Sequence, residues 1–388
     1  MKKPVVLQVV PSLDMSGAPQ GSVDIAIALK AEDLDTHIVT EEVSNYIARK
    51  LEGSKVNIIK LPIKSKNPFV IIYNIFRLRR VILEHSINIV HARSRAPAWS
   101  SFFAARTTNT VFVTTFHGTY NFNNFIKRFY NSIMTRGDLV IAISNFIKEH
   151  IAKNYLNNLG KVKLIYRGLD TKKFDPAEIS FKRTEDLKNL WKEKLGVVIP
   201  NEAFVLALPG RVTFWKGHKV VIDALKKLTT GNKNFFCLFI GNYKNAEKET
   251  ALYTELKEIV KKNNLEKYLG FVGHCNDMPA AYCLADVIIS ASTDPEAFGR
   301  VSVEAQLMCK PVIATDHGAS RETIEQGGLS MLISPNDSEA LQKAVELVKD
   351  KLPNSQQLFE NRKKILQNYS LNIMCSKTIE SYFEAINE

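Results

Sequence analysis

Asp294-Pro295-Glu296-Ala297-Phe298-Gly299-Arg300-Val301-Ser302-Val303-Glu304-Ala305 follows the apolar run Asp286-Val287-Ile288-Ile289-Ser290-Ala291. A continuous branched apolar run suits a parallel strand buried on both faces. A helical run from Gly299 to Cys309 comes next. Two acids, Glu296 and Glu304, therefore stand at the carboxyl end of a strand and on the following helix, where open α/β sheets bind ligands. Eight helical residues rise about 12 Å and turn the second side chain about 80° from the first. The two acids cannot serve one small atom together, but they can hold two ends of an elongated ligand. The N–H groups of a helix start lie between them and attract phosphate. A sugar nucleotide meets all three demands.

The same alternation of short β-type runs and helical runs fills the chain. In the first half Val5–Val10, His37–Thr40, Val56–Leu61, Ile87–Val90, Val111–Phe116, Leu139–Ile143 and Val162–Ile165 read as strands. In the second half Phe204–Leu208, Phe235–Ile240, Tyr268–Val272, Pro311–Thr315 and Ser330–Ile333 join the strand already described. Such alternation implies doubly wound parallel sheets. With 388 residues, two domains are expected. The boundaries read as 1–172 for an acceptor-binding domain, 173–200 for a charged connection, and 201–370 for a nucleotide-sugar-binding domain. Residues 371–388 read as a terminal helix, which the family resemblance drawn below implies crosses back to the first domain.

Other strand ends carry polar chemistry. Pro209-Gly210-Arg211-Val212-Thr213-Phe214-Trp215-Lys216-Gly217 places two cations beside a helix start, where they can neutralise a diphosphate leaving group. Ser16-Gly17-Ala18-Pro19-Gln20-Gly21 follows the first strand, and Gly17 lets backbone N–H groups approach a ligand. His117, in Thr115-Phe116-His117-Gly118, can exchange a proton near neutral pH. Arg93 and Arg95 follow another strand and are candidates for an anionic acceptor, against an ordinary solvated loop. Ser144 reads first as a helix N-cap and second as an acceptor contact.

The glutamate stretch resembles the signature of the retaining glycosyltransferases of family 4, which have the GT-B fold: two Rossmann-like doubly wound domains facing a cleft. The matching residues are Pro295-Glu296-Ala297-Phe298-Gly299 and then Glu304-Ala305. The resemblance implies that Glu296 contacts the donor sugar and Glu304 the ribose, and that Arg211 and Lys216 form a pyrophosphate clamp. It implies that His117 faces the donor sugar and acceptor, giving His117, Arg211, Lys216 and Glu296 as the catalytic set. Donor contacts are implied at Gly17, Gly241, Val272, Gly273, Ala297, Phe298, Gly299, Val301 and Glu304. In the first loop Ser16 replaces a family glycine and Pro19 stands near a family acid, so backbone rather than side-chain contacts are expected there. The expected activity is transfer of a hexose from a UDP- or GDP-sugar to an envelope glycan or lipid-linked acceptor, as in lipopolysaccharide assembly. A sugar-nucleotide epimerase or a phosphorylase of the same architecture is the alternative.

The composition narrows the partners. Residues 1–172 carry 24 basic and 12 acidic residues, whereas 173–388 carry 28 of each. The whole net charge of +12 thus sits in the first half, which points to an anionic partner there. Nucleic acid is not expected, since no helix-turn-helix, zinc-finger or RNP-type signature accompanies the charge. The run Asn121–Thr135 sets Phe122, Phe125, Phe129 and Tyr130 among Lys127, Arg128 and Arg136. It reads first as core packing; together with Arg77, Arg79 and Arg80 it also suits an anionic membrane surface. Five unpaired cysteines suggest neither a zinc site nor a disulfide framework. Asp33-Leu34-Asp35 has metal-motif spacing but falls in a surface turn, so no metal or other cofactor is expected. No apolar run is long enough to span a membrane, and Val5–Val10 reads as a strand rather than a signal peptide. A cytoplasmic protein, peripheral at the inner face of the membrane, is the expectation.

Overall fold

The computed structural model describes residues 2–14, 17–120, 124–155, 161–230, 234–243, 247–325, 330–351 and 354–387. The chain divides into two compact units, Met1–Gly168 with Leu371–Glu388, and Leu169–Ser370.

The first unit is built on a seven-stranded sheet. Across it the strands run Asn57–Lys60, Thr36–Thr40, Val6–Val9, Ile89–Ala92, Val111–Phe116, Leu139–Ala142 and Val162–Leu164. Every pairing is parallel. In chain order this is 3-2-1-4-5-6-7, the doubly wound order. Successive side chains of a strand point to opposite faces. Val6 accordingly belongs to a core with Ile25, Leu29, Met374 and Ile379, while Leu7 and Val9 belong to another with Leu78, Val81 and Ile82. Helices Gly17–Ala31 and Leu371–Asn387 cover one face and helix Pro68–Glu84 the other. Each such buried aliphatic side chain contributes about 1.5–3 kcal/mol.

The second unit repeats the plan. Its strands run Leu269–Gly273, Phe235–Ile240, Phe204–Pro209, Val287–Ser290, Val312–Thr315 and Met331–Ile333, all parallel and in chain order 3-2-1-4-5-6. Leu206, Leu208, Cys237, Phe239 and Ile289 form its core with Val221, Ile222 and Leu225 of helix His218–Leu228.

The stretch 173–200, expected as a connection, folds into the second unit. Helix Phe181–Leu195 is capped by Ser180, whose Oγ accepts from the Arg183 amide, and ends at the left-handed Gly196. It buries Leu187 and Trp191, and the Arg183 guanidinium donates twice to Asp277 at 2.7 Å. The chain passes between the units at Gly168–Leu169 and again at Ser370–Leu371.

Candidate functional site

In both sheets the winding reverses between the first and fourth strands, and ligands of such sheets bind outside the carboxyl ends at that reversal. In the second unit the strands concerned are Phe204–Pro209 and Val287–Ser290. Lys216 follows the former and Glu296 the latter. The Lys216 Nζ lies 2.5 Å from Glu296 Oε1, and both side chains are mostly covered, 16% and 14% exposed. Ser292 Oγ donates to the same carboxylate oxygen at 2.6 Å. Glycines allow this closeness. Gly217, at φ +75°, packs where a Cβ would fall 1.9 Å from the Ala291 carbonyl oxygen. Gly318, at φ +61°, packs on the Glu296 backbone, where a Cβ would fall 2.5 Å from the carbonyl oxygen, and the Ala319 amide donates to the Glu296 carbonyl at 2.9 Å.

The neighbouring strand ends continue the ridge. A Cβ on Gly241 would fall 1.8 Å from the Gly210 carbonyl oxygen, and Lys216 methylenes lie over Gly210. Val272 is buried, and Gly273 adopts a left-handed φ of +67° beside the Tyr243 ring. Gly273 therefore ends one strand, and Gly241, Lys216 and Glu296 follow the next three of the same sheet. Arg211 is placed differently from Lys216. Its guanidinium is 59% exposed and faces Glu249 at 3.5 Å, so the two cations have separate carboxylate partners.

The two acids of the opening stretch differ in setting. Helix Arg300–Leu307 begins after Gly299, so Glu296 lies in the preceding loop and the rise and angle of a continuous helix do not apply to the pair. Glu304 is buried and held by two donors, Tyr282 Oη at 2.8 Å and Arg300 Nε at 2.7 Å. Burial, followed by the Glu304 charge, raises the Tyr282 phenol well above its ordinary pKa, so it stays a donor. Phe298 is expected as a donor contact. Its ring is buried and meets Tyr369 edge-on at 5.7 Å, so only its backbone can face a ligand.

In the first unit the corresponding reversal lies between Val6–Val9 and Ile89–Ala92. Gly17 opens the helix after one strand, Arg93 follows the other, and His117 follows the next. Both ring nitrogens of His117 are buried without a hydrogen-bond partner among the described residues. Burial first, then Arg167 and Arg93, hold its pKa well below 6.5, so the ring is neutral at pH 7 with one N–H and one lone pair. Behind it lies a buried chain of polar groups. Arg93 Nε donates to Gln8 Oε1 at 3.1 Å, and Gln8 Nε2 donates to Tyr382 Oη at 3.0 Å. Tyr382 Oη lies 2.6 Å from His91 Nδ1, and His91 Nε2 lies 2.7 Å from Thr115 Oγ1. The last helix thus supplies a hydroxyl to the centre of the first sheet.

Two expected acceptor residues are engaged otherwise. Ser144 is fully buried, and its Oγ accepts from the Ile147 amide at 3.1 Å as an N-cap, so the acceptor reading of its side chain is withdrawn. Arg95 donates to Asn131 at 2.8 Å and lies over the Tyr120 ring at 4.4 Å, which ties it to its own unit.

A model of the glycosyl transferases group 1 matches residues 191–365, and a model of glycosyltransferase family 4 matches residues 15–173. A crystal structure of a glycosyltransferase from Rickettsia africae ESF-5 is 35% identical, with a TM-score of 0.88 over 100% of this chain and 99% of that one. The chain belongs to the group 1/family 4 glycosyltransferases. This glycosyltransferase has the GT-B fold. Anabaena HepE, crystallised with UDP and glucose, shares that fold at 21% identity and a TM-score of 0.80 over 97% of this chain and 98% of that one. The lipopolysaccharide core biosynthesis mannosyltransferase LpsB of Rhizobium meliloti is 30% identical over 192 residues, 49% of this chain and 51% of the other. The glycosyltransferase therefore spans about half the length of that curated relative in the match.

Sequence reasoning missed several partners of the glycosyltransferase's strand-end residues: Ser292, Gly318, Tyr282 and Glu249. The pattern Thr315-Asp316-His317-Gly318 after an apolar run was a usable signal for Gly318. The others come together only by tertiary packing.

Proposed function

We propose that this glycosyltransferase moves a hexose, with retention and without a metal, from a nucleotide-diphosphate sugar to a glycan or lipid-linked acceptor of an envelope polysaccharide. The observation that carries the donor reading is the Lys216–Glu296 pair straddling the sheet reversal of the second unit. A cation there meets a diphosphate, and a carboxylate meets sugar hydroxyls. Arg211, largely exposed and only loosely paired, is free to swing toward the same phosphates. Gly241, Val272 and Gly273 offer backbone groups to the base, which the proposal leaves as uridine or guanosine; HepE's complex with UDP favours uridine. The acceptor hydroxyl attacks the anomeric carbon from the side the diphosphate leaves, and the departing phosphate takes the proton. The neutral His117, whose ring nitrogens have no partner among the described residues, orients an acceptor hydroxyl.

The first unit bears a surface suited to an anionic membrane. Phe69 and Phe125 are each 82% exposed, and Ile72, Phe76, Ile126 and Phe129 are exposed with them. The aromatic run at 125–130 is therefore not the core stripe expected from its periodicity; Phe122 lies outside the described residues. Arg77, Arg79, Arg80, Lys127 and Arg128 flank these side chains. Helix Arg95–Arg106 packs on helix Pro68–Glu84, and its Trp99 lies 5.3 Å from the Phe129 ring. Exposed aromatics among cations bind headgroup interfaces. Among the described residues no helix is long and apolar enough to cross a membrane. Peripheral attachment at the inner face of the cytoplasmic membrane, with the enzyme otherwise in the cytoplasm, follows as part of the proposal.

Screening thermal stability over nucleoside diphosphates, and then over their sugars, tests the donor, because a ligand that binds the native state raises the melting point. With the donor known, Glu296→Ala abolishes transfer while the chain stays folded, its melting point lowered by no more than loss of the Lys216 ion pair accounts for. Full activity in that variant, an inverted anomeric product by proton NMR, or loss of activity in EDTA each removes the corresponding part of the reading.

A further inference from the structure

Strand Leu269–Gly273 ends the second sheet, and among the described residues no strand pairs with its outer side. A trough of about 620 Å³ runs along it, within the size range of small-molecule sites. Gly196 stops helix Phe181–Leu195 in the left-handed conformation, and Val197 then packs over Gly270, where a Cβ would fall 2.4 Å from Val197 Cγ1. Beyond that contact Val198, Phe236, Val260 and Phe271 line an apolar floor. Leu195 and Val198 on its wall are 45% and 56% exposed, so apolar surface stands uncovered there. Every lining residue belongs to the second unit, and Lys216, Gly241, Gly273 and Glu296 are not among them.

The rim is cationic. Lys257 and Lys261 stand one turn apart on helix Glu247–Lys262, and Lys267 lies shortly after it. Three lysines against one acid, Glu266, leave the rim a net charge of +2. None of the three lysines has an ion-pair partner among the described residues. Lys257 Nζ lies 5.6 Å from the Tyr253 ring centroid, and Lys267 Nζ lies 4.9 Å from that of Tyr268.

The rings decide which kind of anion fits. Tyr253 is stacked on Tyr243 at 3.8 Å and meets Phe271 perpendicularly at 5.2 Å, and Phe271 meets Phe239 perpendicularly at 5.3 Å. These rings are engaged with one another rather than open to a planar base. A flexible alkyl chain needs no open ring face, because apolar burial is non-directional.

We propose that this trough binds a single-chain lipid phosphate, with the alkyl tail along Val198, Phe236, Val260 and Phe271 and the phosphate at Lys257, Lys261 and Lys267. A phosphate monoester carries about −1.5 to −2 at pH 7, which the net charge of the rim balances. The site is separate from the exposed aromatic surface of the first unit and does not rest on the donor reading.

Calorimetric titration of the full chain with lauroyl lysophosphatidate, kept below its micelle concentration, is the test. Lauroyl monoglyceride supplies the tail without the charge, and inorganic phosphate the charge without the tail. We expect one site for the lysophosphatidate, binding roughly tenfold or more weaker for the monoglyceride, and none for phosphate. The double variant Lys257→Gln/Lys261→Gln should weaken the lysophosphatidate roughly tenfold, through loss of two charged donors. Val198→Asp sets an acid in the path of the tail and should weaken it by a similar factor, roughly tenfold. All three side chains are exposed, so either variant covers the case in which the other fails to fold. Phe125→Ser, in the first unit, should leave the affinity unchanged, and UDP should not displace the lipid. The proposal is overturned if the parent binds no lysophosphatidate, if monoglyceride or phosphate binds as tightly, or if both second-unit variants bind as the parent does. Loss of binding in Phe125→Ser, or displacement by UDP, would also overturn it by placing the lipid elsewhere.

Discussion

Replacing Glu296 with Gln should separate donor phosphate binding from sugar transfer. In the structure Glu296 and Lys216 satisfy each other, with Ser292 as a second donor to the carboxylate. An arriving diphosphate must compete with Glu296 for the ammonium group. An exposed ion pair contributes about 0–1 kcal/mol, and breaking a fully buried one costs about 3–5 kcal/mol. At 16% and 14% exposure this pair lies nearer the buried end. Glu296→Gln should therefore cost the second unit about 2 kcal/mol of stability, because the ammonium stays covered without its counter-charge. UDP supplies that counter-charge, so it should bind the variant at least as tightly as the parent, and up to about tenfold more tightly. Lys216→Met should do the opposite and weaken UDP by about 10- to 100-fold, through loss of a charged donor. Calorimetry with UDP and urea unfolding followed through Trp191 and Trp215 measure both quantities. If Glu296→Gln weakens UDP as much as Lys216→Met does, the carboxylate belongs to the phosphate site itself and the competition described here is wrong.

Three further outcomes follow from single contacts. Gly217→Ala should destabilise the second unit by about 2 kcal/mol or more, since φ +75° and the Ala291 carbonyl both resist a Cβ; an unchanged urea midpoint would remove that reading of the loop. His218 is buried, and burial first and the Lys216 charge second lower its pKa to about 4. Above pH 6.5 the ring is neutral folded or unfolded and has no effect; as pH falls from there toward 4, the unfolded chain takes up the proton first and stability drops. That loss is about 2 kcal/mol by pH 5, and His218→Leu should abolish it; equal acid sensitivity in parent and variant refutes the assignment. Ser144→Ala should cost the first unit about 1 kcal/mol through its lost helix cap, with KM for acceptor unchanged, and a raised KM would restore its side chain to the acceptor site.

Much of this was legible because parallel strands buried on both faces must be continuous apolar runs. Val287–Ser290 and Phe204–Pro209 announce themselves in that way, and the polar residues just after them are then bound to lie at the ligand edge. Lys216 and Glu296 were found by this logic, and their mutual contact is what the sheet reversal adds. What escaped depends on partners far away in sequence. Nothing near Arg211 announces Glu249, and nothing near Glu304 announces Tyr282. Helix Phe181–Leu195 looked like a connection because charged residues dominate it; two buried anchors, Leu187 and Trp191, suffice to fasten it. The aromatic spacing around Phe125 and Phe129 is the same for a core stripe and for a solvent-facing one, so only the packing distinguishes them.

The most direct measurement is a crystal structure of the full chain with the nucleoside diphosphate that most raises its melting point. We expect the β-phosphate within hydrogen-bond reach of Lys216 Nζ, the Glu296 carboxylate released from that ammonium, and Arg211 turned from Glu249 toward the phosphates. A nucleotide bound elsewhere, with the Lys216–Glu296 pair intact, would contradict the donor site and the chemistry built on it.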